Sequence, residues 1–404
     1  VTTTLTSSAL RLNPGTEYDA LMERLDGILD LLAANGEKNE ELGQLCDESF
    51  NALKDTGAFK IGIPEELGGY ELTPTQSISV IEKVSRADPA SGWVLMVLQM
   101  ISGTTAAYLG EEAQQKLFPA DGDHALVAGQ GTRFCKAEAV DGGYKVTGNW
   151  FFGSGMPHAD WIHTGAIDEE TGRVMLVHFP RSEASLDGNW DVLGLRASGS
   201  IDYSCKEVFV PEAYVYEPNM KEPLAGGALF KIGLALMSGI CHTGWALGTG
   251  RKLLDEMQKH AAKKSKQPGA STNTDQFFAE YAKAEARLLS AKALVKDVWG
   301  SVEDTLNAGE GITMEQETLA RLALNNATWA AHEVSQIVHL WTATAMARRG
   351  DLQRTFRDIH VGTGHMTSGP VVLQEVGKYL AGLAAEGSYW NFFSLAEPET
   401  STEK

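Results

Sequence analysis

The chain of 404 residues is poor in cysteine, poor in positive charge and without a long apolar run. Each shortage excludes something. Its four cysteines, Cys46, Cys135, Cys205 and Cys241, are scattered, with no CxxC and no close pair. Such spacing fits reduced, mostly buried thiols in a cytosolic protein. The apolar run Val94–Ile101 is far too short to span a bilayer, and no signal peptide opens the sequence, so the expected location is cytoplasmic. Lys and Arg number 34 against 53 Asp and Glu, a formal charge of −19. That surface repels phosphate backbones and anionic lipid, which argues against nucleic acid and membrane as partners.

The common cofactor and metal signatures are also missing. No GxGxxG lies between a strand and a helix; "GWALGTG" sits inside a helical run. No GxxxxGK[ST] occurs. "AHEVSQIVH" begins like a zinc-protease helix, but His332 and His339 are seven apart rather than four. No Glu stands three residues before a histidine, so the Glu-x-x-His pairs of di-iron bundles are absent. In "FRDIHVGTGH", His360 and His365 are five apart, about 140° around a helix, and do not face one ligand together. No metal is expected.

What is present is a soluble globular composition, 43% apolar and 22% charged, long enough for two or three domains. From Glu17 to about Phe118 the pattern is helical: "YDALMERLDGILDLLAANG" repeats apolar residues at three and four spacing and stops at a glycine. A second helix is expected near Glu40–Gly57, and two more separated at Asp88-Pro89. The texture changes near His124. "ALVAGQGTRFCKAEAVDGGYKVTGNWFF" alternates around a turn at Asp141-Gly142-Gly143, and "DWIHTGAIDEETGRVMLVHFP" reads as another hairpin. Beyond Phe230 the chain is helical again. Tyr281, Leu288, Val295 and Ala284, Ala291, Val298 keep heptad spacing; Leu319, Ala323, Ala330, Val334, Ile337 and Trp341 form a second stripe. Small residues dominate both, which suits close antiparallel packing. The expected fold class is α+β: an N-terminal helical domain over 1–124, a β domain over 125–225 and a C-terminal helical bundle over 226–404.

Four stretches, in order, resemble the acyl-CoA dehydrogenase superfamily: "GIPEELGGYELTPTQSISVIEKVSRADPASGWV", "VDGGYKVTGNWFFGSGMPHADW", "WDVLGLRASGSIDYSCKEVFVPE" and "LQRTFRDIHVGTGH". The resemblance covers roughly residues 20–385. It implies a helical domain, a β-sandwich or barrel domain, a four-helix bundle and a homotetramer. A dehydrogenase of this family needs a carboxylate base to take the proton alpha to a thioester. That base usually lies about eight residues after the Arg-Asp pair, where this chain has Met366 beside His365. The alternative site on an earlier helix, "FKIGLALMSGICHTG", has no acid.

The pattern resembles instead the two-component flavin monooxygenase branch, which carries a histidine seven residues after Arg357-Asp358, at His365. Such an enzyme takes reduced FAD or FMN from a separate NAD(P)H:flavin reductase and forms a C4a-hydroperoxide with O2. The adduct lasts only with a hydrogen bond at flavin N5, a donor at the peroxide and a dry pocket. The resemblance assigns Ser154 to N5 and His365 to the donor. It places Phe152 and Trp190 against the ring, Gln130 and Thr132 at the pyrimidine edge, and Trp93 in the substrate cavity. Ile101 stands where phenol-hydroxylating members often have a histidine. Lys263 and Lys264 stand where the dehydrogenases use an arginine to reach the phosphates of flavin in a neighbouring subunit. Arg357 and Asp358 are expected to form a structural ion pair. The implied reaction is hydroxylation or epoxidation of a small aromatic or heteroaromatic molecule such as an indole or phenol. N- or S-oxygenation, an acyl-CoA dehydrogenase or flavin oxidase, and a scaffold without flavin are the alternatives.

Overall fold

The computed structural model describes residues 12–13, 15–119 and 122–397. The N-terminal part is seven helices: α1 (Tyr18–Asp26), α2 (Leu29–Ala34), α3 (Gly36–Leu42), α4 (Asp47–Thr56), α5 (Pro74–Ala87), α6 (Pro89–Tyr108) and α7 (Glu111–Leu117). The single helix expected over 40–57 is two, because Gly43 closes α3 in the left-handed region (φ +70°) and Cys46 restarts the chain in extended conformation. A capping box at Thr73 and Gln76 starts α5. The break at 88–89 follows from Pro89 at the first position of α6 and from Asp88, whose carboxylate accepts the Ser91 N–H at 2.9 Å. Helix α6 is apolar nearly all round and buried nearly all round, so it runs through the middle of the molecule.

The central part is one seven-stranded mixed sheet in the order β5-β6-β2-β1-β3-β4-β7. Its strands are β1 (Val127–Val140), β2 (Gly143–Gly153), β3 (Trp161–Asp168), β4 (Val174–Pro180), β5 (Ser185–Leu186), β6 (Ile201–Pro211) and β7 (Val215–Tyr216). Strands β1 and β2 form the hairpin expected at 141–143, and β3 and β4 the next one. Strands β1 and β3 are parallel, and their register slips between Gln130 and Phe134. That slip is a bulge that lifts residues 131–133 off the sheet. The Ser102 hydroxyl of α6 accepts the Val127 N–H at 3.0 Å and fastens the helix beside β1.

The C-terminal part holds the long helices α8 (Gly233–Lys264), α9 (Asp275–Asn307) and α10 (Met314–Thr342), then α11 (Asp351–Gly362), α12 (Pro370–Leu380) and a hairpin of β8 (Tyr389–Asn391) and β9 (Ser394–Ala396). On α9 the heptad residues Ala284, Leu288, Ala291, Val295 and Val298 are buried and Tyr281 half-buried. On α10 the buried stripe is Ala320, Ala323, Ala327, Ala331, Val334 and Val338; Leu319, Ile337 and Trp341 lie on its half-buried flank. Apolar residues cover more than one face of α10, so periodicity alone does not name the packed one. No helix among the described residues is long and apolar enough to cross a membrane.

In "FRDIHVGTGH", α11 begins at Asp351 and ends at Gly362, and His365 lies in the turn beyond it. The ion pair expected between Arg357 and Asp358 is corrected: the two side chains do not pair with each other. The Arg357 guanidinium pairs with Glu40 at 2.6 Å and donates to the Leu193 carbonyl at 2.8 Å, while the Asp358 carboxylate accepts the Leu195 N–H at 2.6 Å. Both clamp α11 to the loop before β6.

Candidate active site

A cavity of about 550 Å³ opens where α6, the β1 bulge, the end of β2, α8 and the turn after α11 meet. Trp93, Val97 and Ile101 line it from α6 at spacing of four, which keeps them on one helix face. Gln130 and Thr132 come from the bulge, Phe152 and Ser154 from the end of β2, Trp190 from the clamped loop and His365 from the turn. Eight of the ten residues singled out in the sequence therefore line one cavity. Lys263 and Lys264 do not: they are exposed at the C-terminal end of α8.

Local chemistry explains how each side chain is held. Phe152 adopts φ +63°, unusual for a residue with a Cβ, and its ring is 66% exposed at the cavity mouth. It meets Trp190 edge-on, with centroids 6.1 Å apart. The Trp190 indole N–H donates to the Leu195 carbonyl at 3.0 Å, which folds the loop on itself. Ser154 follows in a tight turn; Gly155 next to it has φ +75°, and a Cβ there would press on Leu98 at 3.0 Å. The Trp93 indole N–H donates to the Ser154 hydroxyl at 3.0 Å. Ser154 is 2.6 Å from Ser200 Oγ, which is 2.7 Å from Ser198 Oγ. An indole N–H only donates, so Ser154 Oγ already accepts from Trp93.

His365 is reached through the same tryptophan. Its ring stacks on His242 of α8 with centroids 4.0 Å apart and meets Trp93 edge-on at 6.0 Å. Its Nδ1 accepts the Thr367 N–H at 3.4 Å and lies 2.9 Å from the Thr367 hydroxyl. An Nδ1 that accepts leaves the proton on Nε2. Burial pushes the imidazole down to about 4, so the ring is neutral near pH 7. His242 is lowered well below its ordinary value by burial and by His365 beside it. Gly362 makes this packing possible: a Cβ there would stand 2.0 Å from the Trp245 ring, which itself packs edge-on against Trp93.

The bulge is self-contained. Gln130 Oε1 accepts from the Thr132 N–H (2.7 Å), the Thr132 hydroxyl (2.9 Å) and the Arg133 N–H (3.0 Å). Gly129 at φ +141° is required where β1 leaves the sheet, since a Cβ would stand 1.9 Å from the His163 carbonyl oxygen. Sequence reasoning missed His242, His163, Ser200, Arg133 and the Phe392-Phe393 pair, all of which line the cavity. His242 left one signal, a lone histidine in the small-residue stretch "GICHTG" of an apolar helix.

Among the described residues the lining contains no aspartate or glutamate, and Arg133 is its one formally charged side chain. The walls are mostly apolar and aromatic, with hydroxyls and neutral imidazoles as the polar groups. A flat, heteroaromatic cofactor fits: aromatic rings flank the opening, and the residue over His163 is Gly131, whose missing side chain leaves room.

The sequence matches the family descriptions "Acyl-CoA dehydrogenase, N-terminal domain" over residues 29–120 and "Acyl-CoA dehydrogenase, C-terminal domain" over residues 240–369. It is 29% identical over 369 residues to the flavin-dependent monooxygenase oxygenase subunit HsaA of Rhodococcus jostii (strain RHA1), covering 86% of this chain and 94% of that one. It is 28% identical over 386 residues to the indole-3-acetate monooxygenase of Pseudomonas putida, covering 93% and 95%. The crystal structure of 3-HSA hydroxylase from Rhodococcus sp. RHA1 superposes with a TM-score of 0.85 at 26% identity, over 91% of this chain and 98% of that one. The chain belongs to the acyl-CoA dehydrogenase superfamily, in its two-component flavin-dependent monooxygenase branch.

Proposed function

We propose that this chain is the oxygenase component of a two-component monooxygenase that uses reduced FMN or FAD and O2 on a small aromatic or heteroaromatic substrate. One observation carries the reading: an aromatic cavity that holds Ser154 and His365 both against Trp93 and, among the described residues, has no carboxylate in its wall. A dehydrogenase would need that carboxylate to take a proton. Bound reduced flavin supplies the reaction with O2 that delivers one oxygen atom to the substrate. The chain's residues do the rest. With one lone pair taken by the Trp93 N–H and Ser200 Oγ as a second partner, Ser154 Oγ keeps either a lone pair or its proton for the flavin edge. His365 presents Nε2–H to the cavity as a neutral donor. Trp93, Phe152, Trp190 and Ile101 exclude water and shape a slot for a flat, uncharged ring, while Gln130 and Thr132 keep the bulge in shape. Indole and phenol are the substrate classes that fit these walls, as in the relatives whose names include indole-3-acetate and p-hydroxyphenylacetate. A separate NAD(P)H:flavin reductase supplies the reduced flavin, and the working form is a cytoplasmic homotetramer, in which Lys263 and Lys264 meet the phosphate of flavin held by a neighbouring subunit.

The test mixes anaerobic protein with reduced FMN or FAD, adds O2 and follows near-ultraviolet absorbance, peroxide and product from indole, a phenol, an aryl sulfide and an aryl amine. Expected are an absorbance that decays far more slowly than free reduced flavin reoxidises, and oxygenation of the ring-bearing substrates. Ser154→Ala and His365→Ala each remove one hydrogen bond worth roughly 0.5–1.5 kcal/mol, so product per flavin should fall about two- to tenfold while peroxide rises. Reduction of bound oxidised flavin by an acyl thioester would overturn the reading, as would unchanged coupling in both variants for their assigned roles.

A further inference from the structure

The cavity floor carries a buried pair of histidines to which the reading above gives no part. His163 on β3 and His178 on β4 stand opposite each other in antiparallel register, with ring centroids 5.0 Å apart. Their protons can be placed. His178 Nδ1 lies 3.1 Å from the Tyr214 carbonyl oxygen, and a carbonyl only accepts, so the proton of neutral His178 is on Nδ1. His178 Nε2 then holds a lone pair. His163 Nδ1 lies 3.0 Å from that Nε2, so it must donate to it. The proton of neutral His163 is therefore on Nδ1, and its Nε2 is a bare acceptor. Burial keeps both rings neutral: it pushes His178 down to about 4 and, with His178 alongside, pushes His163 well below its ordinary value. Among the described residues the one hydrogen bond made by the His163 ring is that of Nδ1.

The free Nε2 faces the bulge. A Cβ on Gly131 would stand 3.3 Å from it, so only the glycine leaves it open, and His163 is part of the cavity lining. Among the bulge side chains, Gln130 Oε1 already takes three hydrogen bonds, which leaves the Thr132 hydroxyl oxygen as the other neutral acceptor beside His163 Nε2. A fixed lone pair in a dry wall repels carbonyl oxygens and selects an N–H or O–H.

We propose that His163 Nε2 is the hydrogen-bond acceptor for a ring N–H of the cavity's planar occupant, the imide N–H of the flavin, with His178 and the Tyr214 carbonyl as positioning groups that fix its tautomer. This rests on the flavin-dependent reading and deepens it. The N–H of an indole-type substrate offers the same chemistry, and the experiment separates the two.

The intact protein is titrated anaerobically with reduced FMN and FAD and with their N3-methyl derivatives, binding being read from tryptophan fluorescence. A hydrogen bond to a buried acceptor is worth about 1.4 kcal/mol, so methylation should weaken binding to the wild-type protein about tenfold. His163→Phe should bind parent and methylated flavin within about twofold of each other, near the wild-type affinity for the methylated form. His163→Gln keeps an acceptor and should keep part of the discrimination. His178→Phe should lose part of it, because it frees His163 to move its proton to Nε2. Should His163→Phe fail to fold, the methylation penalty in the wild-type protein and in His163→Gln still decides. An equal penalty in wild type and His163→Phe, or none in wild type, overturns the proposal while leaving the flavin reading standing. A penalty found for 1-methylindole against indole instead, abolished by His163→Phe, overturns the assignment to flavin. Failure of wild type to bind any of the four flavins overturns both.

Discussion

Trp93 is the side chain that makes one site out of several elements. Its indole donates to Ser154, and its edges meet His242, His365 and Trp245. His365 beside it is neutral well below pH 7, since burial pushes it down to about 4. Its donor Nε2–H is thus present in the same form from pH 6 to 8. The ratio of product to peroxide should stay flat across that range where His365 governs it, with an acid limb approaching pH 4; a limb centred near 6.5 in a stopped-flow and peroxide assay would contradict the neutral assignment. Gly362 holds the turn against Trp245 with no room for a methyl group. Gly362→Ala forces the indole or α11 to move, and overpacking of this kind costs about 1–3 kcal/mol, to be read as a lowered urea midpoint. In the sequence, Ser154 and His365 were visible as residues; their shared contact with Trp93 was not, because 61 positions separate Trp93 from Ser154.

Among the elements, the loop before β6 depends on α11 for its shape. Asp358 accepts the Leu195 N–H, and Leu195 takes φ +52° to face the cavity. Burial, with Asp88 close by, pushes the Asp358 carboxyl up to about 7 from an ordinary 3.8. The native state therefore keeps a proton that the unfolded chain releases. Its contribution to stability is complete below about pH 3.8 and is lost as pH rises through about 7. Asp358→Asn keeps an acceptor for Leu195 and cannot ionise. Its stability relative to wild type should rise between pH 5 and pH 8 in urea unfolding; parallel pH profiles would show that Asp358 does not titrate there. The Arg-Asp pair was legible as structural, yet its partners were not, since Glu40, Leu193 and Leu195 all lie far from it along the chain. The heptads of α9 marked its packed face although Phe278 and Leu289 on other faces are exposed; on α10 the expected stripe mixed buried positions with a half-buried flank.

For the molecule as a whole, the order of helices, sheet and helices was plain from texture and turn residues, and the site formed where all three parts meet. Lys263 and Lys264 are exposed at the end of α8 and take no part in the cavity, so their proposed role needs a neighbouring subunit. If they meet a neighbour's flavin phosphate, Lys263→Ala with Lys264→Ala should weaken FMN binding a few-fold, more at low salt than at high salt, without changing Ser154-dependent coupling. Sedimentation of wild type should give a tetramer, and equal FMN affinity in the double variant would dismiss the role.

Local rules decided a large part of this protein from sequence alone. Caps, glycines and prolines set element ends and alternation set the hairpins, because each depends on residues a few positions apart. Only the tertiary structure decided which imidazoles are neutral, where their protons sit and which carbonyl holds them. Those properties come from burial and from hydrogen bonds between residues remote in sequence, as His178 with Tyr214 and Trp93 with Ser154 make plain.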